Sequence, residues 1–228
     1  MSSQDQELWY LKNIDVTGIF CSRKAAEMTD AEVMLHTEFK KGDYIYVPDD
    51  KADCIFLIFE GRVKVGTYSE QGKEILKTVL TKGEVFGEMA VVGQTTRRDF
   101  AMAMEKTTIC ILPVDQIQAM MRDRNGLTEY LMRIIGSRAL TMERRLESLV
   151  FKDSRTRVIE FLRELAQERG QRVGYEVVVR NFLTHQEIAN LTATSRQTVT
   201  TILKELRAEN IITFNRRRML VRDMDKLV

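Results

Sequence analysis

Two histidines, three cysteines and two prolines in 228 residues set the first limits on this chain. Cys21, Cys54 and Cys110 lie far apart in sequence, a spacing that suits neither a zinc knuckle nor a disulfide framework. His36 and His185 are placed so that no Ser-His-Asp or Cys-His set can be assembled, and no glycine-rich phosphate loop occurs. A β-rich metalloenzyme would need two or three histidines on neighbouring strands, and none lies between Phe39 and Pro113. Enzymatic activity is therefore not expected, and no metal or cofactor site is identified. Long apolar runs are missing as well. The longest, Cys54 to Phe59, is too short to cross a bilayer. The opening residues, MSSQDQELWY, have neither the basic start nor the apolar core of a secretory signal. These absences lead to the expectation of a soluble cytoplasmic protein with no membrane association.

What is present is enough for one large or two modest domains, with an ordinary 44% of hydrophobic residues. The net charge of +2 is unevenly divided. Residues 153–228 carry 14 Lys and Arg against 10 Asp and Glu, whereas residues 1–152 carry 21 against 23. A basic C-terminal part, rich in arginine, joined to a slightly acidic N-terminal part fits a nucleic-acid-binding module attached to a regulatory one.

The most informative stretch, LTHQEIANLTATSRQTVTTILKELRAENII, runs from Leu183 to Ile212. Thr184 and Glu187 have the spacing of a capping box, in which the hydroxyl accepts from an early helix amide and the carboxylate reaches back to the cap amide. Ile188 and Leu191 give this first helix an inner face. Thr192-Ala193-Thr194-Ser195 supplies a turn and a second N-cap. Val199, Ile202, Leu203 and Leu206 then recur at helical spacing and predict a second helix with those residues inward. Arg196, Gln197, Thr200, Thr201 and Lys204 fall on its opposite face. Arg and Gln suit bidentate pairing with guanine and adenine edges, and a helix fits the major groove. An amphipathic helix with a merely solvated polar face shows the same periodicity, but the ordered cap, turn and second cap favour DNA reading. Ile211-Ile212-Thr213-Phe214 and Met219-Leu220-Val221 flank Asn215-Arg216-Arg217-Arg218, which predicts a hairpin with three arginines at its tip. Such a run can be a solvated loop; directly after a helix-turn-helix it reads as a wing that straddles phosphates. Thr184, His185 and Ser195, at the two helix starts, belong to the same expected DNA-facing surface.

Upstream, residues 4–35 read as a short helical region anchored by Leu8, Leu11, Ile14, Ile19 and Phe20. From Phe39 to Pro113 short apolar strands alternate with turn signals, among them Lys41-Gly42-Asp43, Pro48-Asp49-Asp50, Glu70-Gln71-Gly72 and Lys82-Gly83-Glu84. That pattern suggests a sandwich or barrel. Residues 115–151, without proline, read as a long helical segment. Met132, Ile135, Ala139, Met142, Leu146 and Leu149 recur in steps of three and four, as in a coiled-coil seam. A second stripe, Leu127, Leu131 and Ile134, would pack on the β-rich part; the two stripes could also form one broad core face. Asp153-Ser154 has the form of a hinge and N-cap.

This order of elements resembles the Crp–Fnr family of bacterial transcription regulators over nearly the whole chain. In the reading segment, Ser195-Arg196-Gln197-Thr198-Val199-Thr200-Thr201 matches a family run, with Gln197 for the usual Glu, Thr201 for a usual Arg, and Ala193 where the preceding turn often has Gly. Phe39…Gly42-Asp43, Ile58…Gly61…Val63…Val65 and Gly83-Glu84…Gly87-Glu88 match the spaced glycines of cyclic-nucleotide-binding β-rolls. The resemblance implies an α+β chain. Residues 1–114 would form the double-stranded β-roll sensor with its N-terminal helical region, 115–152 the dimerisation helix and connector, and 153–228 the winged helix-turn-helix. It further implies a homodimer, two-fold related half-sites of double-stranded DNA, and RNA polymerase as a partner.

In cAMP-binding members a Gly-Glu cassette, followed about ten residues later by Arg-Ser or Arg-Thr, holds the phosphate and ribose. Here Gly87-Glu88-Met89 supplies the first half and Arg97-Arg98-Asp99 the second, without the small hydroxyl residue and with either arginine as the match. Asp99 would repel a phosphate, and the ungapped match to the adenine-contacting Thr and Ser of the helix gives Met142 and Glu143. The expectation is a roll that keeps its scaffold without responding to cAMP; a cyclic-nucleotide sensor with an atypical pocket is the alternative. A structural role for Glu88 fits the residues equally well, as do solvent-facing positions for Arg97 and Arg98 or their pairing with Asp99. An iron–sulfur cluster would need several cysteines near the N-terminus, where only Cys21 lies, and haem would need His or Cys ligands placed in the roll. The sequence names no effector.

Overall fold

The computed structural model describes residues 36–123, 125–215 and 217–227. The expected helical region of residues 4–35, and Cys21 and Arg216, lie outside the described residues. The chain divides into two compact units, one formed by residues up to Thr67 together with Lys77–Ile135, the other by Tyr68–Leu76 together with Gly136–Val228.

Among the described residues the roll, most of it in the first unit, is built on eight strands: β1 (His36–Phe39), β2 (Tyr44–Tyr46), β3 (Cys54–Glu60), β4 (Arg62–Tyr68), β5 (Glu74–Thr81), β6 (Val85–Phe86), β7 (Phe100–Ala103) and β8 (Thr107–Pro113). They form two four-stranded sheets, ordered β1-β8-β3-β6 and β2-β7-β4-β5. β3 explains how the layers are filled. Side chains alternate across a strand, so consecutive residues feed opposite faces. Phe56 and Ile58 enter a cluster inside the roll with Tyr46, Val63, Val65, Leu80, Phe86, Ala101 and Ile109. Ile55 and Leu57 enter another with Val85, Cys110, Leu112 and the helical residues Ile117, Leu127, Tyr130 and Leu131. Because both faces are covered, the run Ile55 to Ile58 is apolar throughout and buried throughout. At the β3–β4 turn, Gly61 has φ +94°, and a Cβ there would lie 2.4 Å from Thr107 Oγ1. Only glycine fits.

The helical segment expected over 115–151 is resolved as two helices, α1 (Val114–Asp123) and α2 (Asn125–Phe151). The Thr128 hydroxyl donates to the Met121 carbonyl (3.3 Å), satisfying one of the acceptors that the end of α1 leaves open. Leu127 and Leu131 pack on the roll, with Ile134 partly buried beside them. The other stripe stays uncovered within one chain. Met132, Met142, Leu146 and Leu149 are 68%, 45%, 65% and 48% exposed.

The second unit contains α3 (Ser154–Arg169), α4 (His185–Leu191) and α5 (Arg196–Ala208). It also holds an antiparallel sheet of β9 (Gly170–Val173), β10 (Glu176–Arg180), β11 (Ile212–Phe214) and β12 (Arg218–Val221), in the order β11-β12-β10-β9. Asp153 caps α3 by accepting from the Thr156 amide (2.7 Å), as its sequence position implied. Val158, Leu162, Val179, Ile188, Val199, Leu203, Ile212, Met219 and Val221 are buried. The β9–β10 hairpin was not anticipated. Its signal was present in Val177-Val178-Val179, a β-branched run beside a Gly174-Tyr175 turn.

Candidate nucleic-acid interface and the interior of the β-roll

The reading head is assembled from local chemistry. Thr184 Oγ1 accepts from the Glu187 amide (3.2 Å), and the Glu187 carboxylate accepts from the Thr184 amide (2.7 Å), closing the capping box that starts α4. After Leu191 the Thr192 hydroxyl donates to the Ile188 carbonyl (2.7 Å). Ala193 takes the left-handed conformation, φ +49°, and the Thr194 amide then donates to the Ala189 carbonyl (2.9 Å). The turn thus exists with alanine in a backbone position where glycine carries no steric penalty. Arg157 on α3 holds it from outside, donating through Nε to Thr192 O (3.0 Å) and through Nη2 to Ala193 O (3.1 Å). Ser195 Oγ accepts from the Thr198 amide (3.0 Å) and so caps α5.

On α5 the apolar face is buried as expected: Val199, Ile202, Leu203 and Leu206. Arg196, Gln197, Thr201 and Lys204 are exposed together on the other side. Thr200 differs from them. It is half-buried, its hydroxyl donates to the Arg196 carbonyl (2.8 Å), and the same oxygen lies 2.8 Å from His185 Nδ1. The His185 ring meets the Phe214 ring edge-on, with centroids 5.8 Å apart. Burial lowers the His185 imidazole pKa below its ordinary value, and the positive Arg196 adds to the effect. In the wing, Asn215 Oδ1 accepts from the amides of Arg217 (2.8 Å) and Arg218 (3.0 Å), folding the tip between β11 and β12. Arg217 and Arg218 are exposed. The assembly offers Arg, Gln, Thr and Lys on one helix face and further arginines on a hairpin, a set suited to base edges and phosphates respectively.

Inside the roll, Gly87 has φ +74° and leads into a 3₁₀ turn, Glu88–Ala90. Arg97 is the inward arginine, 3% exposed, whereas Arg98 is exposed. Arg97 Nη1 donates to the Gly87 carbonyl (3.0 Å) and Nη2 to the Cys54 carbonyl. Its guanidinium carbon lies 4.6 Å from the centre of the Tyr46 ring and 5.3 Å from that of Phe56. Buried Arg97 Nε has no hydrogen-bond partner among the described residues. A Cβ at Gly87 would come within 2.9 Å of Arg97 Nη1 and 3.0 Å of Phe56, so any side chain there would have to displace one or both. Asp99 pairs with Lys77 (2.8 Å) and not with either arginine. Burial pushes the Tyr46 phenol well above the usual tyrosine range, and the negative charge of Asp99 adds to this. Glu88 is buried, while Met89 is 45% exposed. Met142 and Glu143 lie on α2 in the second unit, both exposed. The structure therefore brings Gly87, Glu88 and Arg97 together in unit one and leaves Arg98 outside. Cys110 is fully buried, and burial pushes the Cys54 thiol up to about 11, so neither cysteine is a reactive thiolate.

Two family models match the two parts. Residues 36–124 match the cyclic nucleotide-binding domain, and residues 156–228 match the Crp-like helix-turn-helix domain. The chain belongs to the Crp–Fnr family of transcription regulators. Among curated relatives, the CRP-like cAMP-activated global transcriptional regulator of Mycobacterium tuberculosis is 27% identical over 83% of this chain and 85% of its own. The global nitrogen regulator of Synechococcus elongatus is 29% identical over 81% of this chain and 84% of its own. Among solved structures, a CooA mutant from Carboxydothermus hydrogenoformans superposes with a TM-score of 0.74 at 26% identity, covering 89% of this chain and 92% of that one. As a Crp–Fnr regulator, the chain uses its helix-turn-helix as a DNA-binding domain. No helix among the described residues is long and apolar enough to cross a membrane.

Proposed function

We propose that this Crp–Fnr regulator binds two-fold related half-sites of double-stranded DNA as a homodimer, and that cAMP is not its effector. The observation that carries the DNA reading is the exposure of Arg196, Gln197, Thr201 and Lys204 on one face of a helix whose start is fixed by Ser195. Arg217 and Arg218 on the wing, with Thr184 and His185 at the start of α4, supply phosphate contacts in this reading. Dimerisation is supported by the stripe Met132, Ile135, Ala139, Met142, Leu146 and Leu149 on α2, exposed except for the half-buried Ile135, whose steps of three and four suit a helix paired with its twin. In the same reading residues 1–114 are the sensor, 115–152 the connector and 153–228 the reading head. The protein works in the cytoplasm, and RNA polymerase is its further partner.

The independence from cAMP rests on Arg97. Each terminal nitrogen of its guanidinium donates to a main-chain carbonyl of the roll, which leaves three of its five N–H groups over, the Nε–H among them, and Asp99 and Lys77 neutralise each other nearby. A phosphate entering there would meet the Asp99 carboxylate and an arginine already bracing the roll, in place of the expected arginine beside a small hydroxyl residue. The second reading, a cyclic-nucleotide sensor with an atypical pocket, is favoured by the match of residues 36–124 to the cyclic nucleotide-binding domain. Titration calorimetry with cAMP and cGMP, followed by gel shifts with and without each, separates the two. No heat and no change in DNA affinity supports the first reading; micromolar binding coupled to tighter DNA association supports the second.

A further inference from the structure

The half-buried Thr200 sits on the face of α5 that the sequence assigns to base reading, yet its hydroxyl is already engaged. A hydroxyl carries one proton. The Arg196 carbonyl can only accept, so that proton goes to it, and the contact with His185 is a hydrogen bond only if His185 Nδ1 carries a proton of its own. With both contacts kept as hydrogen bonds, the neutral imidazole is the Nδ1–H tautomer. The lone pair is then on Nε2, for which no protein partner exists among the described residues. Protonation adds a donor at Nε2 without disturbing the bond to Thr200. Three elements meet at this ring: α4 carries it, α5 presents Thr200, and β11 presents Phe214. The charges facing it are Arg196 on α5 and, stacked over the same Phe214 ring at 5.7 Å, Arg207. On its own helix the Glu187 carboxylate is committed to the Thr184 amide.

We propose that Thr200 is a positioning residue and not a base reader, and that His185 is the outer end of the same strut, taking up a proton at Nε2 and donating it in a hydrogen bond to a DNA phosphate as the complex forms. This rests on the DNA-binding reading above. The strut joins the start of the supporting helix to the first turn of the reading helix, so it sets the angle at which Arg196 and Gln197 are presented. Base discrimination is thereby left to Arg196, Gln197, Thr201 and Lys204. Free of DNA, the ring resists protonation because it is partly buried and faces Arg196. A phosphate reverses the sign of the local field. The folded-state pKa is thus higher in the complex than in the free protein. The extra affinity is complete at pH values below the free-protein pKa and is lost as pH rises through the pKa of the complex. A rise of about one pK unit on binding limits the gain to about tenfold.

The test uses the whole chain and a duplex recovered by it from a random-sequence pool, with affinities measured by fluorescence anisotropy from pH 5.5 to 8.5 at constant ionic strength. The wild type is expected to bind about three- to tenfold more tightly at the acid end, within that one-unit limit. His36→Gln should behave in the same way, which removes the only other histidine from the account. His185→Gln should give a flat profile, and Thr200→Val should weaken binding while recovering the same preferred bases. Nitrogen-15 spectra of the His185 ring give a readout that does not depend on the variants folding: Nδ1 is expected protonated in the free protein, and Nε2 protonated in addition when DNA is present. A slope that survives in His185→Gln, an altered base preference in Thr200→Val, or an unprotonated Nδ1 overturns the inference while leaving the DNA-binding reading intact. A wild type that recovers no duplex overturns that reading itself and this inference with it.

Discussion

Arg97 lies over the face of the Tyr46 ring, 4.6 Å from its centre, with its two terminal nitrogens bound to the carbonyls of Gly87 and Cys54. The cation is therefore part of the roll's interior, tying the Gly87 turn to the start of β3. Arg97→Ala would remove the guanidinium donors from the Gly87 and Cys54 carbonyls, leave Gly87 O to the Ala90 amide (3.2 Å), and open a void beside the aromatic rings. The expected loss is about 2–5 kcal/mol of folding stability, as for other buried truncations that also unmake hydrogen bonds. A urea unfolding midpoint within error of the wild type would show that the arginine is not the brace described.

Ala193 adopts φ +49°, so the turn between α4 and α5 carries a side chain in the left-handed region. The steric penalty there is about 1–2 kcal/mol, offset in part by the greater entropy glycine loses on folding. Ala193→Gly should accordingly stabilise the reading head by about 0.5–1 kcal/mol, and Ala193→Val should destabilise it by more. Thermal unfolding of the two variants, followed by circular dichroism, checks the opposite signs.

Met142 is 45% exposed in the single chain, in the middle of the α2 stripe. Met142→Lys places two ammonium groups near each other across the proposed seam, where burying an unpaired charge is costly. Dimerisation and operator binding should weaken together. Sedimentation of an unchanged dimer would remove this stripe from the interface.

Arg196→Ala should cost about 1–3 kcal/mol of operator affinity per half-site and relax the preference at one base pair in each. Arg217→Ala should instead weaken all duplexes alike and reduce the slope of log affinity against log salt by about one per subunit, or about two for the dimer. If Arg196→Ala lowered affinity equally for selected and random duplexes, Arg196 would be a phosphate contact. The two half-sites are expected about one helical turn, roughly 34 Å, apart, which the spacing of selected sequences measures directly.

The features legible in the sequence are those set within a few residues. The Thr184–Glu187 box, the Ser195 cap, the Asp153 cap and the inward face of α5 all follow from spacing alone, and the structure realises each of them. The turn at Thr192-Ala193 was legible too, but not the Arg157 clamp on it, because that arginine comes from a different helix. Whether Arg97 or Arg98 turns inward was undecidable from adjacency. It is settled by where Gly87, Cys54 and Tyr46 lie in the folded roll. Thr200 shared the periodicity of the reading face and was grouped with it. Its burial depends on His185 and Phe214, whose approach is tertiary.

β3 is a wall shared by two rooms. Phe56 and Ile58 face the aromatic interior that holds Arg97, and Ile55 and Leu57 face the root of α2 at Leu127 and Leu131. Packed interiors have few voids in which a displacement can be absorbed. A push on Phe56 from within the roll is one peptide away from Leu57 and so reaches the first turns of α2. The strand is in this sense a lever with a very short arm, and the volume inside the roll, whatever occupies it, sets the seat on which the long helix rests.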